Sequence, residues 1–187
     1  MTLNEWYEKG MSPDTYIQSM KQNKDDLLYI YNEYDLPEDQ SFFENVKRKK
    51  LRVIVLTEDW CGDAMLNVPI LLRIAEKAKI DVRILLRDEN LDLMDQYLTN
   101  GKSRSIPIFI FIDEDGNEVA KWGPRAERVQ QFTDEARNKL PAQDADDYKE
   151  KFNEMIVTLK KSFLDNRRFW DEVYQSIKHT LAAAVNA

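Results

Sequence analysis

Residues 57–65, TEDWCGDAM, hold the only cysteine of the 187-residue chain, Cys61. The stretch follows a short β-branched apolar run, LRVIVL at residues 51–56, which is typical of a buried strand. It opens a segment with apolar residues at helical spacing, 61–78. The sequence therefore predicts a strand, a turn and a helix, with the thiol at the first helical turn. Unpaired backbone N–H groups and the helix dipole stabilise a thiolate at such a position.

The chain around this unit predicts a small α/β sheet. The further segments are a strand at residues 82–86, a short helix at 91–98, strands at 106–113 and 118–122 joined by the turn EDGN, and a helix at 125–140. Strands and helices that alternate and end in a hairpin imply parallel strands linked by helical crossovers, with an antiparallel hairpin at one edge. The predicted fold class is therefore α/β.

Both ends of the chain predict helices. In the N-terminal helical extension, Ser12 and Pro13 have the pattern of a helix N-cap and a first turn. LPAQDADD at residues 140–147 predicts a linker, and apolar residues then recur at helical spacing as far as Leu181. We expect these C-terminal helices to pack on the same core, the alternative being an exposed surface that binds a partner. The predicted segments are 1–37 (N-terminal helical extension), 38–140 (α/β domain) and 141–187 (C-terminal helical extension).

Composition excludes several classes of function. The chain is 43% hydrophobic and 33% charged, as in soluble globular proteins and unlike disordered or fibrous ones. The net charge of -7 provides no basic surface for nucleic acid or anionic lipid. No apolar run approaches the roughly 20 residues that span a bilayer. The N-terminal residues lack the pattern of a signal peptide, and a single cysteine suits a reducing compartment, so we expect a cytoplasmic protein.

Three features occur together along this α/β segment. Trp60, Cys61 and Gly62 form the turn between the strand and the helix. Pro69 lies eight residues after the cysteine, inside the helix. A proline there costs about 3 kcal/mol unless the helix is kinked. Pro107 opens the next-to-last predicted strand.

This combination resembles the thioredoxin superfamily, in a single-cysteine Trp-Cys-Gly-Asp-Ala variant. The resemblance covers about residues 38–140. It implies a thioredoxin-like fold, with a central mixed sheet flanked by helices, here with added N- and C-terminal helices and without the first strand of the family. It also implies that the Ile106–Pro107 peptide bond is cis and that Pro107 faces Cys61 and shapes a substrate groove.

Two departures from the family pattern bear on its chemistry. Dithiol members resolve a mixed disulfide with a second cysteine three residues after the first, where this chain has Ala64. Thioredoxin proper also has a buried acid six residues before the first cysteine, where this chain has Val55. Unassisted turnover by the dithiol route is therefore excluded, and an external thiol must release the partner. An alanine introduced on purpose to trap substrates would give the same sequence.

The first functional hypothesis is therefore monothiol thiol–disulfide exchange in cell redox homeostasis, which is an oxidoreductase activity. Cys61 is the expected nucleophile, Gly62 and Asp63 supply N–H groups, and Trp60 and Pro107 shape the groove. The expected site residues are Trp60, Cys61, Gly62, Asp63, Ala64, Ile106 and Pro107. The expected partner is a protein or small-molecule disulfide, with a low-molecular-weight thiol as co-substrate and no cofactor or metal.

The second hypothesis is a redox-inert module of the same fold that binds or scaffolds a protein partner, as the missing resolving cysteine would allow. A buried, slowly reacting Cys61 would favour it. The carboxylates of Glu58, Asp59 and Asp63 lie close to the thiol in sequence and disfavour a thiolate. No lysine or histidine adjoins the thiol in sequence, although Arg104 could approach it in the fold.

Metal and cluster chemistry find little support in the sequence. His179, the only histidine, lies far from Cys61 along the chain, so no Cys/His cluster or nucleophile pair is indicated. Some monothiol glutaredoxins hold an iron–sulfur cluster with the motif Cys-Gly-Phe-Ser. This chain has Cys-Gly-Asp-Ala at the same place, which disfavours a cluster.

Overall fold

The computed structural model describes residues 1–186. The elements in this range are α1 (Leu3–Lys9), α2 (Pro13–Ser19), α3 (Lys24–Glu33), α4 (Gln40–Arg48), β1 (Arg52–Thr57), α5 (Gly62–Ala78), β2 (Asp81–Leu86), α6 (Leu91–Met94), β3 (Ile108–Ile112), β4 (Glu118–Trp122), α7 (Glu127–Asn138), α8 (Tyr148–Asp165) and α9 (Arg167–Asn186). A short 3-10 turn, Arg87–Glu89, separates β2 from α6.

The four strands form one mixed sheet in the order β2-β1-β3-β4. β1 pairs with β2 in parallel and with β3 antiparallel, so that Val55 lies opposite both Ile84 and Phe109. β3 and β4 form the antiparallel hairpin. β1 and β3 are central and almost wholly buried, which fits their continuous apolar sequences. The predicted α/β class, the crossover through α5 and the terminal hairpin are all confirmed.

Three elements are shorter than the sequence predicted by at least two residues, and one of them is α7, which spans Glu127–Asn138 where residues 125–140 were predicted. The helix predicted at 91–98 ends at Met94, after which Tyr97 N–H bonds back three residues to the Met94 carbonyl, in the manner of a 3-10 turn. The strand predicted from residue 106 begins at Ile108. Pro107 precedes it and has no N–H to donate to the ladder.

Of the N-terminal helices, α1 and α2 pack against β2, whereas α3 and α4 pack on α5. Between α1 and α2, Met11 exchanges both backbone hydrogen bonds with Ile84, at 2.9 and 2.8 Å. Residues 1–50 otherwise form helices, as predicted, and contain no strand. This single antiparallel bridge satisfies part of a strand edge that would otherwise be open to another chain.

α9 belongs to the core of the protein. Its residues Trp170, Val173, Tyr174, Ile177 and Leu181 are fully buried, and the helix packs on α4, α5, α7 and β4. One hydrophobic cluster joins residues from all three predicted segments of the chain. The apolar face of α9 is therefore enclosed within the protein. The segment boundaries at residues 37/38 and 140/141 stay a prediction.

Candidate functional site

The first turn of α5 places Cys61 at the N-cap of a 17-residue helix. β1 ends at Thr57, and the turn between is closed by a hydrogen bond from Cys61 N–H to the Glu58 carbonyl, at 3.3 Å. The Cys61 side chain is 8% exposed, and the backbone N–H groups of Asp63 and Ala64 face its sulfur. The predicted strand, turn and helix are confirmed, with the thiol at the cap.

Burial decides the ionisation of this thiol. Removal from water raises the pKa of Cys61, and the Asp63 carboxylate raises it further. The N–H groups of Ala64 and Asp63 and the charge of Arg125 act in the opposite direction, but the pKa still reaches about 11. The S–H group also donates to the Ile106 carbonyl, with sulfur and oxygen 3.6 Å apart. With a pKa of about 11, the resting form at neutral pH is the thiol, which is the form that can donate this bond.

The Ile106 carbonyl that accepts from Cys61 belongs to the Ile106–Pro107 peptide bond, which is cis, as the resemblance implied. Gly123, after β4, presses against this segment: its φ is +125°, and a Cβ there would fall 2.2 Å from the Pro107 carbonyl oxygen. Only glycine tolerates both that backbone angle and that approach. Gly123 thus lets the end of the hairpin close onto the segment that contacts Cys61.

Two of the three carboxylates near the thiol hold the turn in place. Glu58 is buried and accepts a hydrogen bond from Asp88 N–H at 2.8 Å, and its burial raises the pKa of its carboxyl group. Asp59 accepts from the backbone N–H groups of Lys21 and Gln22, at 2.7 and 3.2 Å. These contacts tie the motif to the 3-10 turn on one side and to the loop between α2 and α3 on the other.

The third carboxylate, Asp63, forms an ion pair that the sequence did not reveal. Arg125 donates two hydrogen bonds to it, both 2.6 Å long, and each side chain is only 14% exposed. A bidentate pair of this kind is stronger than a single charged contact. It neutralises the acid in the first turn of α5. The partners lie 62 positions apart, so no local pattern connects them.

A first groove, of about 440 Å³, runs along one side of Cys61. Trp60, 45% exposed, contributes to its lining, and the guanidinium of Arg87 lies over the indole ring, 5.0 Å from its centroid. Arg104, which the sequence left able to approach the thiol in the fold, lines the same groove. It is already paired with Asp95 through hydrogen bonds of 2.7 and 2.9 Å.

A second groove, of about 320 Å³, is also lined by Cys61, and we call it the α8 groove. α8 contributes Phe152, Ile156 and Lys160 to its lining. The helix passes close to the first turn of α5: a Cβ on Gly62 would lie 3.2 Å from Lys160 Cγ. The thiol thus sits where two grooves meet.

The expected site residues fall into two groups. Those that line one or both grooves are Trp60, Cys61, Gly62, Asp63 and Ile106. Ala64 is buried in the helix, and Pro107 lies between Ile106 and the close approach of Gly123. The residues that sequence reasoning missed are Arg125, Arg137 and Lys160, all of which line the α8 groove.

Metal binding and a role for His179, two possibilities that the sequence raised, find no support in residues 1–186. No group of three or more His, Cys, Asp or Glu side chains in this range is placed to hold a metal ion. His179 is exposed on α9 and lines neither groove. Among the helices described, none is both long enough and apolar enough to cross a membrane.

Comparisons with known proteins agree on one fold. A family model described as Thioredoxin matches residues 10–137. Thioredoxin H-type 1 of Nicotiana tabacum is 31% identical over 102 residues, which are 54% of this chain and 72% of that protein. A solved protein of unknown function from Pseudomonas aeruginosa is similar with a TM-score of 0.62 and 17% identity, covering 88% of this chain and 95% of that one. An HIV epitope scaffold gives 0.67 and 15%, covering 100% and 99%. At these identities the two structures show the fold alone.

Proposed function

The chain belongs to the thioredoxin family, and we propose that it carries out monothiol thiol–disulfide exchange through Cys61. The position of the sulfur carries the proposal: it belongs to the N-cap residue of α5, lies 3.6 Å from the Ile106 carbonyl oxygen and sits where the first groove and the α8 groove meet. A disulfide held in either groove would lie beside the thiol. Protein and small-molecule disulfides are the proposed substrates.

The remaining expected site residues have supporting roles in this proposal. Backbone N–H groups of Asp63 and Ala64 stabilise the thiolate as it forms, and Gly62 gives the first turn of α5 room beside α8. Trp60 forms an exposed edge of the grooves, and Pro107 fixes the segment opposite the sulfur.

The reaction takes two exchange steps. Cys61 loses its proton to solvent, and the thiolate attacks one sulfur of the bound disulfide. The substrate S–S bond breaks, one half leaves as a thiolate that takes up a proton, and the other half stays on Cys61 as a mixed disulfide. A low-molecular-weight thiol then attacks the mixed disulfide, restores Cys61 and becomes the disulfide partner of the released half. No metal or prosthetic group takes part.

The raised pKa of Cys61 limits the rate of the first exchange step, because only the thiolate attacks. With a pKa of about 11, roughly one thiol in ten thousand is ionised at neutral pH. The thiolate that does form is a strong nucleophile, because nucleophilicity rises with thiol pKa. The protein therefore reacts slowly with free disulfides and gains most when a substrate is held in a groove. The thiol needed for the second step is abundant in the cytoplasm, which is the location we propose.

A second candidate function is a redox-inert module that binds a protein partner. The observation that favours it is the state of Cys61 itself, 8% exposed and with its pKa raised to about 11. On this alternative, the grooves hold a partner and the thiol takes no part.

An uncharged disulfide separates the two functions. The native chain is incubated with dithiodipropionamide at about pH 8.5, the ordinary thiol pKa, and adducts are read by intact mass. Exchange predicts one adduct on the native chain, released by added thiol, and none on Cys61→Ser. If the native chain stays unmodified while the urea-unfolded chain reacts, exchange is refuted and the hypothesis of a redox-inert binding module is favoured.

A further inference from the structure

The α8 groove carries positive charge that its own residues do not neutralise. The whole chain has a net charge of -7, yet this groove is lined by three cations, Arg125, Arg137 and Lys160, and by one acid, Asp63. Arg125 and Asp63 neutralise each other in their bidentate pair. Two positive charges remain, one on α8 and one at the end of α7.

Neither of these cations has an acidic partner in the part of the chain that the structure describes. Lys160 Nζ donates to the neutral side-chain amide of Asn23. Arg137 forms no ion pair within residues 1–186. Asp134, an acid one helical turn before Arg137, accepts a hydrogen bond from Gln130 at 2.8 Å instead. The first groove differs, because its Arg87 and Arg104 pair with acids of their own.

The same groove also offers apolar surface. Phe152 and Leu159 of α8 lie in its lining, and Ile156 and Trp60 remain 38% and 45% exposed there. An apolar surface beside unpaired cations fits a ligand with an apolar body and a negatively charged group, because burying the body is favourable and the cations attract the charge. Carboxylate is the common anionic group of small biological thiols and of peptides.

We propose that the α8 groove binds a small disulfide that has an apolar body and carboxylate groups, and that it presents this disulfide to Cys61. The inference rests on the proposed function and names its substrate class. Lys160 and Arg137 hold the carboxylate while the Cys61 thiolate attacks the nearer sulfur. The S–S bond breaks, the distal half leaves as a carboxylate-bearing thiolate that takes up a proton from solvent, and the proximal half stays as a mixed disulfide.

This assignment gives α8 a role in substrate selection. α8 begins at Tyr148, beyond residues 10–137 that match the family model. The helix covers the first turn of α5 and supplies both apolar side chains and Lys160. A thiol site of the family is thereby combined with a binding surface to which α8, outside the matched region, adds Lys160 and apolar side chains, while Arg137 comes from the end of the matched region.

Two matched disulfides test the proposal. Dithiobis(benzoate) has an aromatic body and two carboxylates, and dithiobis(benzamide) has the same body without charge. The rate of mixed-disulfide formation is measured with each on the native chain and on the urea-unfolded chain. The unfolded chain corrects for the different leaving groups of the two probes.

At low ionic strength, the ratio of the dithiobis(benzoate) rate to the dithiobis(benzamide) rate should be about tenfold higher for the native chain than for the unfolded chain. This factor is the lower end of the range by which a charge-lined cleft speeds association. In Arg137→Gln/Lys160→Gln this preference should fall to within about twofold of the unfolded chain, and added salt should weaken it in the native chain. The control is Arg48→Gln/Arg168→Gln, which removes two exposed arginines that line neither groove and should keep the preference.

Three results would overturn the inference, and they are distinguishable. A native chain that reacts with the benzamide but shows no preference for the dicarboxylate, or one whose preference survives in Arg137→Gln/Lys160→Gln, refutes the substrate class and leaves exchange intact. A native chain that reacts with neither probe refutes the proposed exchange itself, and the inference with it.

Discussion

The two grooves that meet at Cys61 differ in origin and in charge. The first groove takes its residues, among them Arg87, Arg104 and Ile106, from the region that matches the thioredoxin family. The α8 groove takes several side chains from a helix outside that region. Arginines of the first groove are paired with acids, whereas Arg137 and Lys160 of the α8 groove are not. The position of the thiol is therefore encoded within the matched region, whereas the surface proposed to select its substrate also needs α8, which lies outside that region.

The largest expected effect is on the free energy of unfolding, and it compares a buried residue of α9 with an exposed residue of α8. Trp170 of α9 is fully buried, and its Nε1–H donates to the Phe163 carbonyl at 2.7 Å. Trp170→Ala should lower the free energy of unfolding by about 4 kcal/mol, through lost burial and an unfilled cavity. Urea denaturation measures this. Ile156→Ala, on the exposed side of α8, should cost about 1 kcal/mol or less, and equal losses would mean that α8 is core rather than groove.

The second prediction compares two glycines, one on each side of the thiol. Gly123→Ala should destabilise the protein by about 3 kcal/mol, because alanine tolerates neither φ of +125° nor a carbonyl oxygen 2.2 Å from its Cβ. Gly62→Ala meets only the flexible Lys160 side chain, at 3.2 Å, so its effect should stay within about 1 kcal/mol. Urea midpoints of the two variants give the comparison. A tolerated alanine at 123 would show that the hairpin end is looser than described.

The third prediction follows from the thiol pKa. Folding raises the pKa of Cys61 from 9.0 to about 11, so the unfolded chain loses its proton first as the pH rises. The contribution is fully present below pH 9 and is lost between about pH 9 and 11, amounting to about 2 to 3 kcal/mol. The difference in urea stability between the native chain and Cys61→Ser isolates it, because the tyrosines are common to both. A difference that does not change with pH would contradict the burial of the thiol.

The smallest expected effect is on the alkylation rate of Cys61, and it tests the ion pair of Asp63 and Arg125, which line both grooves. Arg125→Gln leaves Asp63 without its counterion and should raise the pKa of Cys61, whereas Asp63→Asn removes the acid and should lower that pKa. At about pH 8.5 the alkylation rate with iodoacetamide should fall about fivefold in the first variant and rise about fivefold in the second. Shifts in the same direction would mean that the pair acts through the fold and not through charge.

The sequence predicted the frame of the site because that frame is local. A β-branched run, a turn and an apolar helix are neighbours along residues 51–78, and their patterns can be recognised without a structure. The hairpin was predicted for the same reason, whereas the cis bond before Pro107 was implied by the resemblance to the thioredoxin superfamily. Small errors arose at element ends, where a proline or a 3-10 turn decides the boundary.

The surroundings of the thiol could not be predicted, because they depend on distant residues. Arg125 approaches Asp63 across 62 positions, and Lys160 approaches Gly62 only because α8 folds back over α5. The helical spacing in α8 indicated an apolar face. It did not indicate that the edge of that face would border the thiol.

The most direct test of the account is the rate of mixed-disulfide formation on the native chain as the concentration of dithiodipropionamide is increased. If the folded protein reacts through its grooves, the rate should keep rising with disulfide concentration until the grooves are saturated. It should also exceed the unfolding rate measured separately in urea. A rate that levels off at the unfolding rate would mean that Cys61 reacts only when the chain unfolds, and exchange by the folded protein would be contradicted.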